Sequence, residues 1–166
     1  MNEQGPTRKL MEKAASLLAR RSYSRGEMET KLAPLGDPPE IQSVLDRLEQ
    51  LNLLNDEVYA YNSASQWIRQ RGWGPYKVRH LLMRRKIPDW MAESAIERVR
   101  QEISDTSALE AYLDRRSRSH PLPEDRKGIQ KLALSLKRRG FSPEAIWDVL
   151  RRRIPSSAWQ EIETGD

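Results

Sequence analysis

Side chains that could carry out catalysis are few and widely separated in this chain. The two histidines, His80 and His120, lie forty residues apart. Neither has the nearby spacing of a zinc-binding His-Glu-x-x-His helix. The chain has no cysteine, which excludes disulfides, thiolate metal sites and cysteine nucleophiles. The turn at residues 72–75 is only weakly similar to a phosphate-binding nest, and a helix start explains it better.

The carboxylates also lack a catalytic arrangement. Glu27 with Glu29, and Glu93 with Glu97, lie among polar neighbours. Their spacing is typical of solvated helix faces or of i, i+4 partners, not of acid–base pairs. We therefore predict no catalytic residue, no metal site and no cofactor, and a protein that is not an enzyme.

Clusters of basic side chains are the feature that indicates a function. The chain contains 29 Lys and Arg against 24 Asp and Glu, a net charge of +5. Residues 1–54 are neutral, whereas residues 67–87 contain seven basic side chains and no acid, and residues 126–153 contain nine basic and two acidic ones. Such stretches attract polyanions. We expect a polyanion-binding face in these two parts of the chain.

Some of these cations have a purely structural explanation, because a cation at the C-terminal end of a helix opposes the helix dipole. Lys77, Arg84 and Arg85 instead lie off the apolar face of a helix that begins at Pro75, and we expect them to form a solvent-exposed cluster. The predicted binding residues are Arg69, Arg71, Lys77, Arg79, Arg84, Arg85, Lys137, Arg138, Arg139, Arg151 and Arg152.

An internal repeat must position these residues. Six of sixteen columns agree in chemistry across three windows that align without gaps, residues 17–32, 67–82 and 135–150. Each window predicts a helix that ends in arginine, an aromatic residue, a cap, and a second helix with an inward apolar i, i+4 pair. The aromatic column contains Tyr23, Trp73 and Phe141, and its place beside a helix start favours core packing over stacking on nucleic-acid bases.

Capping signals predict where the helices begin. Capping boxes are predicted at Ser24 with Glu27 and at Asp37 with Glu40. Further starts are predicted after Asn55, Gly74 and Ser142. The predicted helices include about 38–52, 88–102 and 105–118, a break at 119–123, and a short last helix around Trp159.

The fold class follows from these patterns. No stretch has the alternation and β-branched content of a strand, so we predict an all-α protein of nine or ten short helices. With 37% hydrophobic and 32% charged residues, one large core is not expected, and small modules must stack on each other. We predict three tandem three-helix repeats in an elongated, curved solenoid, with domains at residues 7–54, 55–103 and 104–165.

The location of the protein is predicted from what the chain lacks. The first residues are polar and have no apolar run of a secretory signal. No stretch approaches the roughly 18 apolar residues of a membrane helix. The absence of cysteine fits a reducing compartment. We expect a cytoplasmic protein that does not bind membranes.

Four segments together resemble the RecX family, the bacterial regulators of RecA recombinase, over about residues 8–153. They are the runs LLARRSYSRGEM at 17–28 and LLNDE at 53–57, the GWGP turn at 72–75 with the apolar positions after it, and the RRGFS turn at 138–142. Asn52 and Lys86 stand where the family usually has glycine. Both positions look like helix C-caps, where asparagine tolerates the left-handed conformation.

The resemblance implies a fold of three tandem three-helix repeats and a function in DNA repair, homologous recombination and the SOS response. A protein of this family binds the RecA–single-stranded DNA filament and lowers its ATPase, strand-exchange and coprotease activities. The implied partners are the RecA filament, single-stranded DNA and, more weakly, double-stranded DNA. The basic residues above would contact acidic RecA surface, DNA phosphates or both, and we expect a monomer.

Two other functions remain open at this point. A helical DNA-binding protein without a recombinase partner would bind naked DNA tightly and with strong salt dependence. An interaction scaffold would carry its basic residues for solubility alone, and replacing Arg84 and Arg85 by glutamate would then change no partner assay.

Overall fold

The protein is built entirely from helices in the part that the structure, a computed structural model, describes: residues 4–163, with the side chains of residues 7–159. The first repeat consists of α1 (Gln4–Leu18), α2 (Arg25–Leu32), a 3-10 helix (Ala33–Leu35) and α3 (Pro38–Gln50). The second consists of α4 (Asp56–Arg69), α5 (Pro75–Arg84) and α6 (Asp89–Glu102). The third consists of α7 (Asp105–Ser117), α8 (Arg126–Arg138) and α9 (Pro143–Arg153), followed by α10 (Ser156–Glu163).

Most helices begin at the predicted caps. Ser24 and Glu27 form the complete capping box of α2, and the side chains of Asn55 and Ser142 accept the expected backbone hydrogen bonds in α4 and α9. The prediction at Asp37 is only half right. Asp37 is the N-cap residue of α3, but its side chain makes no capping hydrogen bond.

Each repeat has its own small core, as predicted for stacked modules. Three separate clusters of buried apolar side chains follow one another along the chain. The aromatic column belongs to them, since Tyr23 and Phe141 are buried and Trp73 is half-buried against the second cluster. The accessible surface is 10818 Å², against about 8,500 Å² for a compact monomer of this mass. The molecule is therefore elongated.

The third repeat is in a different register from the one that the aligned windows predict. The windows at 17–32 and 67–82 join the first and second helices of their repeats, whereas the window at 135–150 joins α8 to α9. In all three repeats the first helix packs on the third, so α7, not α8, corresponds to α1 and α4. The alignment was misleading because both kinds of turn combine a basic helix end, an aromatic or apolar plug and a capped helix start.

The middle helices α8, α5 and α2 meet end to end. At the contact between the second and third repeats, the Gly74 N–H donates to the Arg139 carbonyl at 2.7 Å, and the Tyr76 N–H donates to the Gly140 carbonyl at 3.1 Å. The carbonyls that directly follow α8 thus accept hydrogen bonds from the N-cap and the first turn of α5, whose N–H groups a helix start cannot satisfy by itself. At the contact between the first and second repeats, the Ser24 hydroxyl donates to the Arg85 carbonyl at the end of α5.

The residues that follow α5 and α8 have the left-handed backbone that these contacts require. Lys86 has φ of 62° and Gly140 has φ of 95°. Asn52, after α3, has φ of 55°, so both positions that depart from the family glycines are C-cap positions, as the sequence indicates. The close approach excludes side chains, since a Cβ on Gly74 would lie 2.3 Å from the carbonyl carbon of Gly140.

The two outer ends of this row of helices are closed by local sequence. At the N-terminus of α8, the Asp125 carboxylate accepts the Gly128 N–H at 2.6 Å. At the C-terminus of α2, the chain turns directly into the 3-10 helix, whose second residue, Pro34, has no N–H.

We expect Gly74→Ala to destabilise the protein by about 1–3 kcal/mol, the usual cost of overpacking. The φ of −81° at Gly74 suits alanine, so in open space the same change would stabilise by about 0.4–1 kcal/mol through the unfolded chain. Urea unfolding measures the change in the free energy of unfolding, and the sign of this change tests the contact between Gly74 and Gly140. A stabilised variant would contradict the end-to-end packing of α8 on α5.

Candidate binding face at the repeat junctions

The first junction, residues 20–27 with residues 84–87, is organised by Glu27. Its carboxylate accepts the Ser24 N–H at 3.1 Å, completing the capping box. It also accepts Arg21 of its own repeat at 3.1 Å and Arg85 of the next repeat at 2.9 Å. Only 12% of the Glu27 side chain is exposed, which corrects the expectation of a solvated carboxylate. Glu27 therefore links the two repeats.

The pKa values of titratable groups at and beside the first junction are shifted in opposite directions. Burial alone would raise the pKa of Glu27, but hydrogen bonds from Arg21, Arg85 and the Ser24 N–H outweigh it, so the pKa lies below its ordinary value. Burial raises the pKa of Asp56, although its carboxylate accepts the Arg25 N–H at 2.7 Å. Burial also raises the pKa of Tyr59. The charge of Glu27 is thus stabilised by its two arginines.

The second junction, residues 71–77 with residues 137–141, uses Arg139 in place of an ion pair. The guanidinium of Arg139 donates to the Gly72 carbonyl at 3.0 Å and to the Arg71 carbonyl at 2.5 Å. It also lies over the ring of Tyr112 at 4.0 Å from the centroid, a cation–π geometry. Arg139, predicted from the sequence as a binding residue, thus joins the second repeat to the third.

Four of the predicted binding residues are held by carboxylates of the chain itself. Arg69 pairs with Glu102, Arg79 with Asp89 and Glu93, Arg85 with Glu27, and Arg152 with Glu110 and Asp148. The expected cluster of cations on α5 is therefore wrong in part. Arg85 is engaged, Lys77 lies over the ring of Trp73 at 4.6 Å, and Arg84 is at the other end of the helix.

Five predicted residues are exposed and make no ion pair within the described part of the chain: Arg71, Arg84, Lys137, Arg138 and Arg151. The structure brings three of them together at the second junction, because Arg71 lies in the turn after α4 while Lys137 and Arg138 end α8 beside it. Arg84 is at the first junction. Arg151 is at the far end of α9 from the second junction.

Two exposed cations at the first junction were missed in the sequence prediction. Arg20 precedes the turn to α2, and Lys86 packs beside Gly26 in the left-handed C-cap position of α5. Arg20 and Lys86 were missed because their proximity depends on a contact between residues that are distant in sequence. The capping box predicted the start of α2 but not its contact with α5.

We take the two junctions together as the candidate binding face, because both combine a helix end with exposed cations. Exposed cations surround both ends of α5, which at ten residues is roughly 15 Å long. This face suits a ligand with many regularly spaced negative charges. Within the described residues no group of three or more His, Cys, Asp or Glu side chains could hold a metal ion, and both histidines are exposed.

Comparison with protein-family models finds matches in three successive parts of the chain. Models of the first, second and third three-helix domains of RecX match residues 11–48, 55–96 and 104–150. The chain belongs to the RecX family. The third RecX domain begins beside α7, in agreement with the register in the structure.

Individual RecX proteins are similar over nearly the whole chain. The regulatory protein RecX of Chlorobaculum tepidum is 30% identical over 99% of this chain and 98% of its own. That of Prosthecochloris aestuarii is 35% identical over 87% of this chain and 93% of its own. The crystal structure of RecX from Lactobacillus salivarius has a TM-score of 0.77, with 22% identity over 89% of this chain and 96% of its own, which shows the shared fold.

The relatives are named regulatory proteins, a description in which no catalytic activity appears. No helix among the described residues has the length and apolar content needed to cross a membrane.

We expect Glu27→Gln to lower the stability at neutral pH by about 1.5–3 kcal/mol, the range for hydrogen bonds to charged groups. The pKa of Glu27 is depressed in the folded state, so its contribution is present above the unfolded pKa and is lost as pH falls through the folded pKa. The difference between the variant and the original protein should therefore shrink below about pH 4.5. Urea unfolding of both proteins at pH 7 and in steps down to pH 3 measures this difference in stability. A difference that stays constant with pH would contradict a stabilising role for the charge of Glu27.

Proposed function

We propose that this protein regulates RecA recombinase by binding the RecA–single-stranded DNA filament and lowering its ATPase, strand-exchange and coprotease activities. Membership of the RecX family supports a regulatory role. The protein acts by binding and not by catalysis, as a monomer in the cytoplasm. Through RecA it takes part in homologous recombination, DNA repair and the SOS response.

The observation that carries this proposal is the repetition of exposed cations at both ends of α5. A filament presents the same charged groups at regular intervals, and an elongated row of repeats can contact several of them at once. Each junction then contributes a modest electrostatic attraction, and the rigid middle helix fixes the distance between them. Single-stranded DNA is bound through the same face, and double-stranded DNA more weakly.

The predicted binding residues divide into two groups in this proposal. Arg71, Arg84, Lys137, Arg138 and Arg151 contact DNA phosphates or acidic protein surface directly, together with Lys77. Arg69, Arg79, Arg85, Arg139 and Arg152 hold the face in shape through their contacts within the chain. The earlier test pair, Arg84 with Arg85, would therefore disturb the fold as well as the face.

The direct experiment is a titration of RecA ATP hydrolysis on single-stranded DNA, with this protein added well below one molecule per RecA and at two salt concentrations. We expect hydrolysis to fall at these ratios. Unchanged hydrolysis with a folded sample would contradict the proposal. A protein that binds naked DNA alone would instead show tight binding to it, with a log–log salt slope near −0.7 per phosphate contacted on a single strand.

Charge reversal tests the face. We expect Arg71→Glu with Arg138→Glu to raise the concentration needed for half-maximal inhibition at least about tenfold, equivalent to 1.4 kcal/mol, with unchanged helical content. A matched control is Lys9→Glu with Arg47→Glu, which changes the charge equally on exposed residues of the first repeat. Equal inhibition by both double variants would exclude the second junction from the binding face.

A further inference from the structure

An open apolar groove lies between α8 and α9, on the third repeat. Ala133, Pro143 and Ile146 line its floor, and the groove has a volume of about 430 Å³. Its walls include Leu134, 54% exposed, and Trp147, 36% exposed. Large apolar side chains exposed side by side mark a place where another molecule binds.

Polar bridges cross the corresponding grooves of the other two repeats, and in the second repeat a cleft of about 570 Å³ remains beside the bridge. Arg85 and Arg139 are the C-cap residues of the middle helices of the second and third repeats. Counted from these two residues, Ala133 and Trp147 of the third repeat correspond to Arg79 and Glu93 of the second. In the second repeat Arg79 spans the groove, with two hydrogen bonds of 2.6 Å to Asp89 and an ion pair of 2.8 Å to Glu93.

A polar bridge also crosses the groove of the first repeat. The Gln42 amide of α3 donates to the Glu29 carboxylate of α2 at 2.9 Å. Only the third of these three grooves has apolar residues in place of a bridge. The chain itself borders this groove through Trp159, whose ring meets Trp147 edge to face at 6.1 Å, but Leu134 and Trp147 remain exposed.

Cations outnumber acids around the groove. The exposed Lys137 lines it. The neighbouring cations, one helical turn from the groove residues, are Lys127, Lys131, Arg138 and Arg151. None of the five makes an ion pair within the described residues. The nearest acids are directed elsewhere, since Asp148 pairs with Arg152 at 2.8 Å and Glu144 lines a separate cleft with Arg100.

We propose that this groove binds an acidic amphipathic segment of a protein partner, with apolar side chains on its floor and carboxylates against its cationic rim. This is the helix-in-groove mode of recognition. Gln130 and Lys137 are the polar side chains that line the groove, and its other lining residues are apolar, which favours an amphipathic protein segment over nucleic acid. The inference deepens the proposed function and rests on it where it assigns the segment to the recombinase. Lys137 and Arg138 belong both to the second junction and to the rim of the groove.

A designed peptide tests the chemistry of the groove without any recombinase. The probe is a fluorescein-labelled 16-residue helix with leucine at i, i+3, i+4 and i+7 and glutamate at its other positions, followed by anisotropy. We expect binding to the full chain, and at least a tenfold loss with Leu134→Asp. The matched control is Leu35→Asp, since Leu35 is 53% exposed in the first repeat. Equal binding by both variants, or equal binding of a peptide with lysine in place of glutamate, would overturn the proposal.

The identity of the partner is tested by crosslinking. A photoreactive benzoylphenylalanine at position 134 is illuminated in the presence of RecA filaments on single-stranded DNA. Crosslinks to an acidic segment of RecA support the assignment, and crosslinks to DNA overturn it. If the peptide binds but the original protein leaves RecA hydrolysis unchanged, the proposed function fails and the groove stands. If hydrolysis falls but the peptide does not bind and RecA does not crosslink to position 134, the groove proposal is wrong and the proposed function stands.

Discussion

The end-to-end contact of helices α8, α5 and α2 is the interaction on which the molecule depends. A three-helix repeat of this size buries too little apolar surface to be stable alone, and the three small cores do not merge. The repeats are joined where the carbonyl end of one middle helix meets the amide end of the next. Each such contact satisfies backbone groups that a free helix end would leave to water.

This geometry also determines which cations are available to a partner. A helix C-terminus favours positive side chains, so joining helices at their ends concentrates arginine and lysine at the junctions. Some are consumed there: Arg85 by the Glu27 carboxylate and Arg139 by two backbone carbonyls. Their neighbours Arg84 and Arg138 remain exposed. Engaged and exposed cations thus alternate between adjacent residues, and total basic charge does not measure the charge that is available to a partner.

The sequence was sufficient for local structure and insufficient for contacts between repeats. The helix starts at Ser24, Asn55 and Ser142 could be predicted because capping depends on residues three positions apart. The third repeat was assigned one helix out of register because two different helix–turn–helix junctions share the same pattern. The partners of Arg85 and Arg139 could not be predicted, since Glu27 and Gly72 are 58 and 67 residues away in the chain. The groove at Leu134 became visible only when corresponding bridges were compared in space.

The outer end of α2 differs from the helix ends that are joined. A repeat that docks on its own kind through a helix end could propagate without stopping, as heterologous contacts do when they form open fibres. Here the outer amide end of α8 is occupied by Asp125, and the outer end of α2 turns into a 3-10 helix with a proline. The α2 end thus lacks the left-handed residue that follows α5 and α8 at the joined ends. The end-to-end contact depends on a C-cap geometry that α2 does not repeat.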